Sequence, residues 1–506
     1  MKRLHGFSPR RGDNYPLGQY VPTGKFGRLF PNLRPLTPSK ESLTDLGNAM
    51  LDTKADNPNG DRDGDNPSVP AGYTYLGQFI DHDITLDTTA LKEVLVDPLA
   101  IQNFRTPALD LDSVYGSGPS GQPFLYDLDD PDQFLIGSTT AVAADGRPSK
   151  EAIAAKPNDL PRVSSGLAVL GDPRNDENLI VAQLHLAFLK FHNKVVQGIK
   201  NGSIKQSSPV RKTPFEEARD IVIWHYQWIV LHDFLRLILD IQQLDLVLKQ
   251  GRAFYKPIGE AFIPVEFSAA AYRLGHSMIR SVYDYNRVFT TDQKSPGFIT
   301  PATLDLLFAF TAKSGTKDDL FEIPVPSNWI IDWRLFFDLD APVKVNPSRK
   351  LDPFLVNPLA NLPNVPAPSS LAVRNLLRGS SLGLPPGQSI ARSMGLKPLK
   401  PAQIAEGPDG AVAKQHNFHI ETPLWYYILK EAQIQAGGRH LGQLGSRIIA
   451  EVFVGLLETD SSSFLSRCPD WKPTLPAKVP GTFTFADLLR FVDDLNPIGD
   501  KPAPSA

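Results

Sequence analysis

A single cysteine, Cys468, stands among 506 residues. One thiol cannot close an internal disulfide, so the core and not covalent staples must hold the fold. The same scarcity excludes a cysteine-based zinc site and any C-x-x-C-H attachment site. No apolar run approaches the roughly 18 residues of a membrane-spanning helix. The amino-terminal stretch MKRLHGFSPRRGDNYPLGQY is basic but has no apolar centre. It therefore predicts no ordinary secretory signal, and the polar residues after Arg10-Arg11 argue against a twin-arginine one. The expectation is a cytoplasmic or non-classically secreted protein of bacterial type. Net charge is −3, with 52 basic against 55 acidic side chains, which predicts neither a nucleic-acid partner nor an anionic membrane surface. There is no internal repeat and no regular apolar–polar alternation, which leaves β-sandwiches and repeat arrays without support.

What is present suits a large globular core: 42% hydrophobic and 21% charged residues. Apolar residues recur at helical spacing over 177–200 (Ile180, Leu184, Ala187, Phe188, Phe191, Val195) and over 214–249. Similar patterns predict helices near 73–84, 265–282, 301–313, 369–378, 421–437, 441–458 and 484–495, with proline-rich connections at 341–368 and 384–402. The expected fold class is mainly α: one large domain with long loops and little β. Residues 1–72 lack a period and are rich in Pro, Gly, Asn and Asp. They are expected to be an arm on a domain spanning 73–506, with a loop at 53–72. Asp61, Asp63 and Asp65 alternate in that loop, but the sixth position is Asn66 where an EF-hand needs glycine, and the twelfth is Gly72 where it needs glutamate. A solvated acidic turn is expected there.

Residues 75–87 read YLGQFIDHDITLD. Gln78 and His82 are four apart and share a helix face, while Asp81 and Asp83 flank the histidine on other faces. An imidazole titrates near neutrality and suits proton transfer. A core histidine among helix acids is the bland alternative, and His82-Asp83 ligating a divalent ion in a phosphohydrolase is another. A second string, 171–193, reads GDPRNDENLIVAQLHLAFLKFHN, where Arg174 and Glu177 are three apart. Alone they would be a surface pair of little worth. A third, 268–286, reads SAAAYRLGHSMIRSVYDYN and contains His276, one of ten histidines.

Together these strings closely resemble the animal-type haem peroxidases of the peroxidase–cyclooxygenase superfamily, the family of myeloperoxidase, lactoperoxidase and peroxidasin. The resemblance runs in patches from about 73 to 460. It implies that Gln78 and His82 face a peroxide site, with Arg174 as the distal arginine. It implies haem b as cofactor, His276 as the iron ligand, Arg273 near the haem, and Asp81 and Glu177 as carboxylates able to form haem esters. LAVRNLLRGSSLGLPPGQSIAR, 371–392, is similar to the segment whose asparagine supports the iron-bound histidine; it selects Asn375 and Arg378, although Ser-Ser-Leu-Gly replaces the usual Arg-Asp-His-Gly. AGGRHLGQLGSRIIAEVFVGLLETD, 436–460, is similar to the family's late glycine-rich turn and helix, with His440 structural.

The aspartate after the distal histidine ligates calcium in that family, which assigns Asp83. RTPALDLDSVYGS, 105–117, resembles the family's calcium loop and places further Ca2+ ligands at Thr106, Ala108 (carbonyl), Asp110 and Asp112, the last standing where the family often has serine. Two departures narrow the activity. Asn178 occupies the position of the methionine that myeloperoxidase bonds to a haem vinyl, so no sulfonium link is expected. Arg273 occupies the position of the radical tyrosine in the fatty-acid dioxygenase branch, with Tyr272 adjacent and about 100° away on a helix. His185 and His192 are read as packing or capping residues. The implied function is reduction of hydrogen peroxide with oxidation of small organic donors or (pseudo)halides through a ferryl intermediate. The alternatives are a fatty-acid dioxygenase, a metal-dependent phosphohydrolase using His82-Asp83, and a haem- or calcium-binding module without catalysis. The resemblance leaves the electron donor and oligomeric state open.

Overall fold

The computed structural model describes residues 24–52, 63–86, 102–143, 151–205, 212–309, 325–362 and 367–501. Helix accounts for 47% and strand for 8%, so the chain is mainly α and forms a single domain. No helix among the described residues is long and apolar enough to cross a membrane.

The centre is a stack of helices that are apolar nearly all round. In Gly72–Ile84, Leu76, Phe79, Ile80 and Ile84 are fully buried, as expected of a helix enclosed by others. The long helix Leu179–Lys200 crosses it. Asn178 starts that helix by accepting a hydrogen bond from Val181 N at 3.0 Å. Phe79 stacks on Phe188 at 4.7 Å, and Tyr226 from helix Pro214–Ile229 meets Phe188 edge-on. Each such ring contributes roughly 1.5–3 kcal/mol by leaving water. Helices Leu424–Ala436, Gln443–Thr459 and Phe485–Val492 complete the core.

Strands are short and peripheral. Gly24–Gly27 pairs antiparallel with Gln102–Asn103 and parallel with Phe262–Pro264; Asp65–Pro70 pairs antiparallel with Pro347–Arg349. The amino-terminal segment is thus more regular than its composition suggests. Helix Lys40–Ala49, capped by Ser39, buries Leu43 and Leu46 against helix Leu371–Ser381. Asp65 is no solvated turn residue: it lies in a strand and forms an ion pair with Arg280. Asp61 and the rest of 53–62 lie outside the described residues.

Two expected helices are broken. The period over 214–249 runs through a π turn at Val230–Phe234 and stops at Leu239, where Asp240 accepts from Gln242 N and starts a new helix, Ile241–Gln250. Over 265–282 the chain forms only Val265–Ser268, a 3-10 turn Ala271–Leu274 and Gly275–Met278. Side chains satisfy carbonyls that a continuous helix would have used. Arg273 Nε donates to Ser268 O, Ser277 Oγ to Leu274 O, and Trp425 Nε1 to Arg273 O. Within 384–402 a seven-residue helix, Gly387–Ser393, is too short to show a period. Of the helix expected at 301–313, Leu304–Ala309 forms; Ala302–Thr303 is instead a short strand paired with Val282–Tyr283, and 310–313 lie outside the described residues.

Candidate active site

A cavity of about 810 Å³ opens between the motif helix Gly72–Ile84 and the broken 265–278 segment. Gln78, Asp81, His82, Arg174, Glu177, Arg273, His276 and Arg378 all line it. Four remote stretches of sequence therefore converge on one space, with apolar walls from Phe26, Phe234, Val265, Leu304 and Leu359.

His82 is 4% exposed. Its Nδ1 lies 2.8 Å from Asn175 Oδ1, and its Nε2 makes no hydrogen bond among the described residues. Burial first, then the charge of Arg174, hold this imidazole below the ordinary histidine range. Arg174 forms an ion pair with Asp172. Its Nε and Nη2 grip Asp172, and Nη2 also donates to His82 O at 3.0 Å and to Thr85 O. Arg174 thus ties the turn Pro173–Asp176 to the end of the motif helix while lining the cavity. Burial alone would raise the Asp172 carboxyl, but Arg174 and Arg105 bring it well below its usual range. Gln78 Oε1 accepts from Asn178 Nδ2 at 3.1 Å, so the residue replacing a methionine both caps a helix and orients the glutamine. Asp81 accepts from Thr85 Oγ1.

On the opposite wall, burial and then Arg273 push the His276 imidazole down to about 3, which keeps it neutral and able to offer a lone pair. The fully buried Asn375 amide lies 2.7 Å from His276 Nδ1, and its Oδ1 accepts from Arg273 Nη1 at 2.6 Å. Tyr272 also lines the cavity beside Arg273; its hydroxyl donates to Gly77 O at 3.3 Å and its ring stacks on Phe267. A Cβ on Gly275 would meet nothing closer than Thr74 O at 4.0 Å. The protein's own packing does not demand that glycine, so the space beside His276 is cavity. A pocket within the roughly 300–1,000 Å³ of cofactor sites, with neutral imidazoles from two walls and two carboxylates, fits a haem group.

Asp83 faces away from this cavity. It accepts from Leu111 N at 3.2 Å and Ser113 Oγ at 3.3 Å. Carboxylate oxygens of Asp83, Asp110 and Asp112 lie within 4.8 Å of one another, a set able to hold a metal ion. Thr106 N and Oγ1 contact Asp112, and the buried Ala108 donates its N–H to Thr106 O. Leu111 adopts a left-handed conformation (φ 55°) to bring its flanking aspartates inward. Burial, then the neighbouring charge of Asp112, raises Asp83; burial likewise raises Asp112. His82 is not in this cluster, which counts against one ion shared by His82 and Asp83. Arg105 joins the cluster to the cavity wall, contacting Asp112 at 3.2 Å and Asp172 at 2.6 Å.

Motif matching passed over Asn175, Asp172, Arg105 and Ser113, and read His185 as packing. The N-cap role of Asn178 had a signal, a polar run ending before an apolar one. His192 is bonded to Tyr115 and Asp132 O, and His440 to Leu441 O; neither lines the cavity.

Comparison with known proteins agrees with this geometry. Thyroid peroxidase of Canis lupus familiaris is 26% identical over 44% of this chain. Curated relatives are matched over only part of their own length: 24% of that protein, and 14% of a peroxidase-like protein from Margaritifera margaritifera that is 35% identical over 22% of this chain. Among solved structures, peroxidase A of Dictyostelium discoideum superposes with a TM-score of 0.58 at 16% identity, covering 95% of both chains. A fatty acid alpha-dioxygenase of Oryza sativa superposes at 0.56 with 14% identity, covering 94% of this chain and 80% of that one. These likenesses establish the fold. A family model described as animal haem peroxidase matches residues 86–461, starting just past the GQFIDHD motif, and the chain belongs to that family.

Proposed function

We propose that this protein is a haem peroxidase that reduces hydrogen peroxide and oxidises a small organic donor or (pseudo)halide. The observation that carries the proposal is the convergence of two histidines, the buried His82 and the half-buried His276, on one cavity from separate elements. When bound, haem supplies the iron at which the peroxide O–O bond is cleaved. His276 would hold that iron. Asn375, whose Oδ1 is held by Arg273, would steady the imidazole at Nδ1. Arg273 and Arg378 would border the group, and Asp81 and Glu177, which line the same cavity, would supply the carboxylates for ester links.

His82 accepts the peroxide proton at Nε2 and returns it to the departing oxygen. Arg174 stabilises the charge that separates, and Gln78, steadied by Asn178, offers its amide beside them. We assign this chemistry to residues 73–506, with the described parts of the preceding arm, 24–52 and 63–72, packed on them. Asp83, Asp110, Asp112, Thr106 and the Ala108 carbonyl would bind Ca2+, an ion that takes about six to eight oxygens.

Stopped-flow mixing of the haem-loaded enzyme with hydrogen peroxide tests the proposal. His82→Ala is expected to slow the reaction by about 10²–10⁴-fold; an unchanged rate contradicts it. Tyr272 on the cavity wall favours one other reading, a fatty-acid dioxygenase, although Arg273 stands where that branch has its tyrosine. Oxygen uptake with palmitic acid in place of peroxide turnover would select it.

A further inference from the structure

Behind His82 lies a buried polar chain that proton transfer at Nε2 does not itself require. Asn175 is fully buried, and His185 on the long helix Leu179–Lys200 is 1% exposed. Asn175 Oδ1 accepts from His82 Nδ1 at 2.8 Å, and Asn175 Nδ2 donates to His185 Nδ1 at 3.0 Å. A carboxamide has one accepting end and one donating end. The two imidazoles it joins must therefore differ: one carries its proton on Nδ1, and the other has Nδ1 bare.

The polarity matters for chemistry. A neutral imidazole in water prefers its proton on Nε2, the atom that lines the cavity here. A histidine in that form cannot accept a proton at Nε2. With Oδ1 turned toward His82, the proton is held on Nδ1 and the Nε2 lone pair is free. Burial pushes His185 down to about 3, so it remains a neutral acceptor throughout the ordinary pH range. The backbone beneath the amide is held too, since Asn175 N donates to Asp172 O at 3.1 Å in the turn that also carries Arg174; the amide itself is held by its two histidine partners.

We infer that Asn175, oriented by His185, is a positioning residue that sets the tautomer of His82 and makes Nε2 the accepting atom. The inference rests on the peroxidase reading and adds to it the group that prepares the base. Asn175 touches neither peroxide nor cofactor and acts through His82 alone.

The test uses the full chain labelled with ¹⁵N-histidine, and it reads the imidazole nitrogen shifts of His82, assigned with His82→Gln. The expected result is a protonated Nδ1 and a bare Nε2. In Asn175→Ala the proton is expected to move mainly to Nε2, and the peroxide reaction of the haem-loaded variant to slow by roughly tenfold or more. Asn175→Asp, which still accepts from Nδ1, is expected to restore the tautomer and shift the acid limb of the pH profile upward, because a carboxylate favours the imidazolium. His185→Phe is the second variant should Asn175→Ala not fold; there both tautomers are expected to appear. An unchanged His82 tautomer and peroxide rate in Asn175→Ala or His185→Phe overturns the inference while leaving the peroxidase reading intact. The expected tautomer with no peroxide reaction in the wild-type protein would instead overturn the peroxidase reading.

Discussion

Burial and Arg174 keep the His82 imidazole neutral into weakly acidic solution. The proton-accepting form is the one present above the lowered value, so peroxide reactivity should hold at neutral pH and fall only as pH drops below the ordinary histidine value of about 6.5. Arg174→Gln removes the second cause of that lowering. Its plateau rate should fall, and the acid limb of its normalised pH–rate profile should move up toward the ordinary value; an unmoved limb would show that Arg174 does not act on His82. His82, Arg174 and His276 were legible in the sequence because each sits in a string that resembles a family motif; spacing alone would not have separated them from surface or core residues. Asn175 was not, since a polar residue between Arg174 and Asp176 reads as part of a turn until its two histidine partners are brought to it from residues 82 and 185.

Helices that bury one continuous apolar face were equally legible. Leu179–Lys200, Leu424–Ala436 and Gln443–Thr459 fall within a residue or a few of their expected bounds. The 265–278 segment was not, because its carbonyls are satisfied by side chains: locally by Arg273 and Ser277, and from far along the chain by Trp425. Helix Lys40–Ala49 was missed for its brevity, yet its contact reaches toward the site. A Cβ on Gly47 would lie 2.7 Å from Val373 Cγ2 and 2.9 Å from Val373 N, and backbone cannot rotate away. Val373 belongs to the helix that carries Asn375 and Arg378. Gly47→Ala should therefore cost about 1–3 kcal/mol by overpacking. Urea unfolding checks this, and a midpoint equal to wild type would mean the two helices do not meet so closely.

Across the whole molecule, the acidic cluster and the cavity are coupled by a short ionic path: Asp112 to Arg105, Arg105 to Asp172, Asp172 to Arg174. Asp83 and Asp112 have folded-state values raised by burial and, for Asp83, by mutual repulsion. A raised carboxylate contributes stability below its unfolded value near 4 and loses it as pH rises through the folded value. The metal-free protein should therefore lose stability as pH rises toward and past neutrality. Bound Ca2+ reverses this, because it favours the deprotonated ligands. The gap in melting temperature between Ca2+-loaded and chelated protein should widen with pH; a gap that is absent or narrows would remove the ion from this loop. The most direct measurement of the central claim is the absorption spectrum of the full chain with haem supplied, for wild type and His276→Ala, before and after acid-butanone extraction. A Soret band in wild type, altered or lost in His276→Ala, is the expected result, and a band that resists extraction would add ester links through Asp81 or Glu177. No Soret band in the wild-type protein, even with haem supplied, would contradict a haem peroxidase.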